Sequence, residues 1–400
     1  MNRLEKKMGK KFAQTGTTAV ALAMKQINPD VVAAYPITPQ TAIVQDFALF
    51  VANGEVDTEL ITVESEHSAM SACVGASAAG ARVMTATSSN GLAFMWEVLY
   101  IASGLRLPIV MVDVNRALSG PINIHCDHSD SMGARDSGWI QIFSETSQDV
   151  YDNVIQAVRI AEHKDVMLPV MVMMDGFIIS HGIEMFEILD DDQVKKFTGE
   201  YKPQYALLNT SKPVTMGAFD LFDYYFEHKR QQAEGMENAR QVIVEVSKKY
   251  SDLSGRKQEL YRGYHLDDAE IAIVALGSSA GTIRDVIDEM RAEGHKVGLM
   301  SPRIYRPFPN VDYAEALKSK LVVGVLDRSD SFGGNGGPIY TELRSALYEY
   351  DRRPKIIDRM YGLGGRDFKA EDARSYLDEL MEIADGKKQY SAVSYLGVRE

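Results

Sequence analysis

The residues best placed to do chemistry lie between Ile61 and Gly91. A β-rich run over 60–63 leads into Glu64-Ser65-Glu66-His67-Ser68-Ala69 and delivers Glu66 to the first turn of a helix. That helix is built almost wholly of small residues, among them Ala69, Ala72, Cys73, Gly75, Ala76, Ala78, Ala79 and Gly80, so a partner can pack close against it. A second strand, 82–87, empties into Ser88-Ser89-Asn90-Gly91 and another helix. Carboxylate, small-residue helix and polar turn thus fall near the carboxyl ends of neighbouring strands, where open α/β sheets bind ligands. One carboxylate placed there suits proton handling or activation of a cofactor. A plainer reading also fits, because Ser65 is a good helix cap and an acid is favoured in a first turn. Glu64 competes with Glu66, and spacing alone does not choose between them.

Two further segments join this set. Tyr35-Pro36-Ile37-Thr38-Pro39-Gln40 ends the first of the apolar strands. Thr38 is expected as a helix N-cap with Pro39 at the first helical position, and the same hydroxyl at a strand end can hold an anionic substrate. Arg116 follows the strand over 108–114 and suits a bidentate carboxylate clamp, or else a surface ion pair. Its loop continues through His125-Cys126-Asp127-His128-Ser129-Asp130, which resembles a metal cluster. No second cluster at ligand spacing accompanies it, so internal hydrogen bonding is expected instead.

Composition narrows the function classes. A net charge of −13 excludes a general nucleic-acid or anionic-membrane surface. The basic cluster Lys6, Lys7, Lys10 and Lys11 is followed by no apolar core of about 7–15 residues, so it is not a secretory signal. No run approaches the ~18 apolar residues of a membrane span, and a cytosolic protein is expected. Cys73 and Cys126 are the two cysteines. An iron–sulfur cluster needs about four thiolates, so any clusters serving this chain belong to other subunits.

The elements that must position these residues follow from periodicity. Strands are predicted at 31–35, 60–63, 82–87, 108–114 and 168–174, with helices near 17–28, 40–52, 66–80, 91–104 and 149–164. Continuously apolar runs such as Ile109-Val110-Met111-Val112 fit parallel strands covered on both faces. From about 185 to 263 a polar, aromatic-spotted stretch leads into a long charged helix, roughly 220–250. A second alternation follows: strands at 270–276, 296–300, 321–326 and 355–358, helices at 280–292, 312–318 and 338–350. Two doubly wound α/β domains are expected, 1–255 (with a helical connector over about 186–255) and 256–400. The second carries three glycine-rich turns, at 277–282, 331–338 and 361–367; the first reads as turn chemistry, and the other two suit a phosphate or partner contact.

Taken in order, Tyr35–Pro39, Glu64–Ala69, Thr85–Gly91, Asn115–Leu118, Asp127–Asp130, Asp136–Trp139, Asp175–Phe177, Arg306–Pro309 and 333–337 resemble the alpha subunits of the 2-oxoacid:ferredoxin oxidoreductase family, the pyruvate enzymes in particular. The resemblance covers nearly the whole chain. It implies a thiamine diphosphate pyrimidine-binding domain followed by a domain like the carboxy-terminal one of transketolase. It also implies a cofactor site shared between subunits, and the chain has no Gly-Asp-Gly followed by Asn to hold the Mg²⁺-diphosphate end.

By position, Glu66 matches the family's catalytic carboxylate, which hydrogen-bonds the pyrimidine N1′ and favours its imino tautomer. The resemblance likewise implies substrate binding by Thr38 and Arg116, and cofactor contacts from Tyr35, Pro36, Ser89, Asn90 and Gly91. A beta subunit would bring the diphosphate and Mg²⁺. Gamma and delta subunits would complete the enzyme, [4Fe-4S] clusters would sit on partner subunits, ferredoxin would accept electrons and coenzyme A the acyl group. Ser119-Gly120-Pro121-Ile122-Asn123-Ile124 is more like the pyruvate enzymes than the branched-chain ones; 2-oxobutyrate, 2-oxoglutarate, oxalate and a non-catalytic scaffolding role stay open.

Overall fold

The computed structural model describes residues 9–399; Lys6 and Lys7 of the basic cluster lie outside them. The first half runs β1 (Lys10–Thr15), α1 (Gly16–Ile27), β2 (Val31–Ala34), α2 (Thr41–Ala52), β3 (Glu59–Thr62), α3 (Glu66–Ala79) and β4 (Val83–Thr87). It continues through α4 (Ser89–Phe94), α5 (Trp96–Gly104), β5 (Val110–Asn115), α6 (Ser129–Gly133), β6 (Ile140–Phe143), α7 (Ser147–Ala161) and β7 (Val170–Asp175). After β8 (Ile183–Ile188) and α8 (Asp191–Thr198), an irregular segment over 199–224 leads into α9 (Tyr225–Ser254). The second half comprises β9 (Tyr261–Tyr264), β10 (Ile271–Ala275), α10 (Ser279–Ala292), β11 (Val297–Pro302), β12 (Ile304–Arg306) and α11 (Asn310–Leu317). It closes with β13 (Val322–Asp327), α12 (Pro338–Leu347), β14 (Lys355–Met360), α13 (Ala370–Ala384) and β15 (Val393–Tyr395).

These form two doubly wound α/β units. The first sheet has the order β12-β6-β7-β5-β4-β2-β3, all parallel except β12. The second has the order β15-β14-β13-β10-β11-β9, parallel except β9. Every residue of β4, β5 and β7 is buried, as central parallel strands covered by helices on both faces require. α7 is buried almost all round beneath β7 and against α1, and α9 seals that core with Ala239, Val242, Ile243, Val246 and Tyr250.

Where the pattern misleads, the reasons are tertiary. The helix expected over 91–104 is two helices, broken at Met95 (φ −85°, ψ 1°), whose side chain enters the core. The polar stretch after 185 contains β8, which pairs antiparallel with β1 as a separate two-stranded ribbon. β12 follows the second sheet's β11 in the chain yet adds to the edge of the first sheet beside β6.

That crossing is locked by polar contacts. Arg303, between β11 and β12, is buried, with its guanidinium donating to Asn153 Oδ1 (2.7 Å), Ser247 Oγ (3.0 Å) and Gln156 Oε1 (3.0 Å). Close by, Arg256 pairs with buried Asp152 (2.6 and 2.8 Å), and Arg262 with Asp149 (2.5 and 3.0 Å). Removing the Arg303 donors strands three buried acceptors on α7 and α9. Arg303→Met is therefore expected to lower the urea unfolding free energy by about 3 kcal/mol, with Arg303→Lys falling between. A loss below about 0.5 kcal/mol, the size usual for surface changes, would show that the crossing is held by packing alone.

Candidate active site

β5, β4, β2 and β3 are consecutive, parallel neighbours. The chain leaves their carboxyl ends at Arg116, at Ser88-Ser89-Asn90-Gly91, at Tyr35–Thr38 and at Glu64–Glu66 respectively. All the candidate residues thus emerge along one edge of four adjacent strands.

The structure separates the two competing carboxylates. Glu64 is exposed, accepts a hydrogen bond from Ser68 Oγ (2.6 Å), and that bond lowers its pKa. Glu66 is 7% exposed at the start of α3, where Ser65 caps the helix through the Ser68 N–H (3.2 Å). Its carboxylate takes no hydrogen bond among the described residues. It lies against Gly91, where an added Cβ would fall 2.9 Å from Glu66 Oε1 and 2.6 Å from Thr87 Oγ1. Among the described residues, Thr87 Oγ1 and Ser88 Oγ are buried without a partner. A buried carboxylate, the unpaired Thr87 hydroxyl and a bare backbone in van der Waals reach form a floor suited to a flat ring with a hydrogen-bonding edge.

Thr38 is not the helix cap that its residue type predicts. α2 starts at Thr41, with Gln40 at the cap position and Thr38 inside the preceding turn. Gln40 is responsible: its Oε1 accepts the Ile37 N–H (3.2 Å) and its Nε2 donates to Ala86 O on β4 (3.0 Å). The Ile37 carbonyl takes the Gln40 and Thr41 N–H groups (2.8 and 3.1 Å), so the Thr38 hydroxyl is left exposed and uncommitted to capping. Arg116 reaches across to it: Nη1 donates to Thr38 O (2.9 Å) and Nε to Asn123 O (3.0 Å). With only 7% exposure, the guanidinium is fixed rather than waving in solvent. Tyr35 is half-buried and Pro36 exposed on the same turn. Asn90 is engaged elsewhere, its Oδ1 accepting the Ser119 N–H (3.1 Å) and hydroxyl (2.8 Å).

Beneath this edge, Asp130 joins the strand ends. Its Oδ2 accepts the N–H groups of Ser89 (3.0 Å) and Arg116 (2.9 Å), and its Oδ1 accepts Asn115 Nδ2 (2.9 Å) and the Ser131 N–H (2.8 Å). Ser89 adopts φ +47°, which costs a non-glycine residue roughly 1–2 kcal/mol; the bond to Asp130 and one from its hydroxyl to Ala117 O (2.6 Å) offset this. Burial pushes the Asp130 carboxyl up to about 6 despite these donors. Asp113, one turn of the pleat below on β5, is pushed well above the usual range by burial first and by the Asp130 charge second. The signal for Asp113 was present as an acid inside the apolar run Val110-Met111-Val112-Asp113-Val114, a placement that demands a partner or a proton.

The loop resembling a metal cluster is internally satisfied. Asp127 accepts from the Ser129 hydroxyl (2.6 Å) and the Gly364 N–H (3.0 Å), while His125 is exposed. Cys126, His128 and Asp175 do converge, all buried, but His128 Nε2 and Asp175 Oδ1 bond one another (2.8 Å). The other Asp175 oxygen accepts Ser278 Oγ (2.5 Å) and Arg328 Nη1 (3.0 Å). Burial alone would raise this carboxyl, but His128, Arg328 and Ser278 outweigh it and hold it well below the usual range. The Arg328 guanidinium supplies the positive charge that balances Asp175 here.

The glycine-rich turn before α12 is likewise no open anion site. Asp327 accepts the Ile339 and Tyr340 N–H groups (both 3.0 Å) and Asp358 the Gly337 N–H (2.7 Å), so the chain's own carboxylates fill the helix N-terminus. A cavity of about 980 Å³ lies between α5, the irregular segment 201–220 and the start of α9, and none of Thr38, Glu66 or Arg116 lines it.

A family model described as pyruvate flavodoxin/ferredoxin oxidoreductase, thiamine diphosphate-binding, matches residues 22–248, and one described as pyruvate:ferredoxin oxidoreductase core domain II matches residues 269–373. The chain is 58% identical over 393 residues, 98% of each chain, to a pyruvate synthase subunit PorA from Thermotoga maritima. It is 42% identical over 375 residues, 94% of each chain, to a ketoisovalerate oxidoreductase subunit VorA from Pyrococcus abyssi. Its fold matches the solved structure of a 2-oxoglutarate:ferredoxin oxidoreductase from Magnetococcus marinus, with a TM-score of 0.72 at 22% identity over 95% of this chain and 67% of that one.

The Asp113–Asp130 pair carries a pH dependence. Above the ordinary value of 3.8, the unfolded chain releases the Asp113 proton that the folded chain keeps. Stability from this group is therefore full at low pH and falls as pH rises toward the raised value, by up to about 1.4 kcal/mol per pH unit. Asp113→Asn, which copies the protonated form, is expected to gain on the parent in urea midpoint between pH 5 and 7.5. A gap that stays constant across that range would mean Asp113 is ionised in the fold.

Proposed function

We propose that this chain, which belongs to the pyruvate:ferredoxin oxidoreductase family, is the alpha subunit of a thiamine diphosphate-dependent enzyme that oxidatively decarboxylates pyruvate. The products are acetyl-CoA and CO₂, with electrons passing to ferredoxin. The observation that carries this reading is Glu66, a buried carboxylate that takes no donor among the described residues, pressed against Gly91 within a strand-end row that also fixes Arg116 beside Thr38.

The residues present fit the pyrimidine half of the cofactor. Glu66 would accept a hydrogen bond from the ring nitrogen and hold a proton there, Gly91 would allow the ring close to the backbone, and Tyr35, Pro36, Ser89 and Asn90 would border it. When bound, thiamine diphosphate supplies a nucleophilic carbon and an electron sink for the loss of CO₂. Arg116 would pair with the substrate carboxylate and Thr38 would donate to the substrate. Arg116 also sets the distance of the reacting carbon from the floor, because its guanidinium is already tied at two nitrogens.

The division of labour follows from what this chain carries. Its two cysteines, both buried, do not make a cluster site, so the [4Fe-4S] clusters are assigned to partner subunits. A beta subunit would supply the diphosphate and Mg²⁺ end, with gamma and delta subunits completing a cytoplasmic complex. The proposed domains are 1–255 for the pyrimidine site and 256–400 for the transketolase-like unit. Pyruvate as the 2-oxoacid is supported by the 58% identity over nearly the full chain to a pyruvate synthase subunit.

Glu66→Gln is the direct test. In the assembled complex it is expected to lower kcat for pyruvate-dependent dye reduction by about 10²–10⁴-fold, with subunit assembly and circular dichroism unchanged. Retention of more than about a tenth of the activity would remove Glu66 from the role of activator.

A further inference from the structure

The geometry points to Asn123 and the glycine turn at 362–365 of the second sheet as the element that positions Arg116, so that the second domain sets the substrate clamp carried by the first. The inference rests on the reading of Arg116 as the carboxylate clamp.

Arg116 opens a loop closed on itself by the Ala117 N–H to His125 O bond (3.0 Å). Little of that loop is anchored by burial: Ile122 is 79% and Ile124 44% exposed, and Ser119, Gly120 and Pro121 are exposed as well. Polar contacts must therefore fix it. Arg116 Nε donates to the Asn123 carbonyl (3.0 Å), while the Asn123 side chain faces the other way. Its Nδ2 donates to Gly364 O (2.9 Å), and its Oδ1 accepts the His125 N–H (2.7 Å). The Gly364 N–H returns to Asp127 Oδ2 at the far end of the loop (3.0 Å).

The turn is shaped for this approach. Gly362, Gly364 and Gly365 have φ of +64°, +60° and +77°, conformations that side chains with a Cβ rarely adopt. A Cβ on Gly364 would lie 2.5 Å from Asn123 Nδ2, and one on Gly365 would lie 2.3 Å from His125 Cβ. Arg328, fixed on Asp175 (3.0 Å), is the residue next to Gly362, where an added Cβ would sit 3.1 Å from its Nε. The path from the second sheet to the clamp is thus continuous: Arg328, the turn, Asn123, then Arg116. Two neutral hydrogen bonds support a guanidinium whose alignment decides how well it pairs with a carboxylate.

The test is steady-state kinetics of the assembled complex with pyruvate as the varied 2-oxoacid. Asn123→Ala, and independently Gly365→Ala from across the interface, are expected to raise KM for pyruvate about tenfold, the size two hydrogen bonds can supply. The expected kcat stays within about threefold and KM for coenzyme A is unchanged. In an Arg116→Ala background, Asn123→Ala is expected to add less than about twofold, since both act through one group. If Arg116→Ala raises KM while Asn123→Ala and Gly365→Ala leave it unmoved, the positioning role is overturned and the clamp stands. If Arg116→Ala itself leaves KM unmoved, the clamp falls and the inference with it. A parallel loss in kcat and in KM for both substrates would show a general structural role and also overturn it.

Discussion

The architecture depends on one short segment, Asp127-His128-Ser129-Asp130, in which buried acceptors must find donors and the donors lie on different elements. Asp130 takes N–H groups from the ends of β4 and β5. His128 bonds Asp175 at the end of β7, and its backbone N–H donates to Arg328 O beyond β13 (2.8 Å). Asp127 takes the turn after β14 through Gly364. A buried carboxylate without such partners would cost several kcal/mol, so the positions of these strand ends are coupled to one another. What resembles a metal site in sequence is a joint between two sheets.

Against that background Glu66 stands apart. Asp113, Asp127, Asp130, Asp149, Asp152, Asp175, Asp327 and Asp358 are all buried, and each accepts at least one hydrogen bond. Glu66 matches Asp149 in exposure (7%) yet accepts none among the described residues, with the unpaired Thr87 hydroxyl across Gly91 from it. Each structural acid takes at least one internal donor, although one oxygen of Asp113 and one of Asp358 stay unpaired, whereas Glu66 stands open at a strand edge, where the proposed cofactor would supply the donor. The site also lies apart from the cavity of about 980 Å³ beside α5 and α9.

Much of this was legible because it depends on local pattern. Continuous apolar runs located the central parallel strands, and the polar residues ending them, from Tyr35 to Arg116, fall together because neighbouring parallel strands finish on one edge. What was not legible depends on distant atoms. Glu64 and Glu66 are equivalent in spacing; the packing of Glu66 against Gly91, 25 residues on, is what the local pattern does not contain. Thr38 reads as a cap until Gln40 is seen bonded to Ala86. β12 has no sequence feature that assigns it to the first sheet, and the contact between Asn123 and Gly364 spans 241 positions.

The most direct measurement is anaerobic reduction of a low-potential dye by the complex purified through this chain, given pyruvate with and without coenzyme A. Rapid reduction that requires both is the expected result. An iron-loaded complex that pyruvate and coenzyme A together fail to reduce would contradict the pyruvate assignment, and a complex without iron would contradict the ferredoxin-linked reading as a whole.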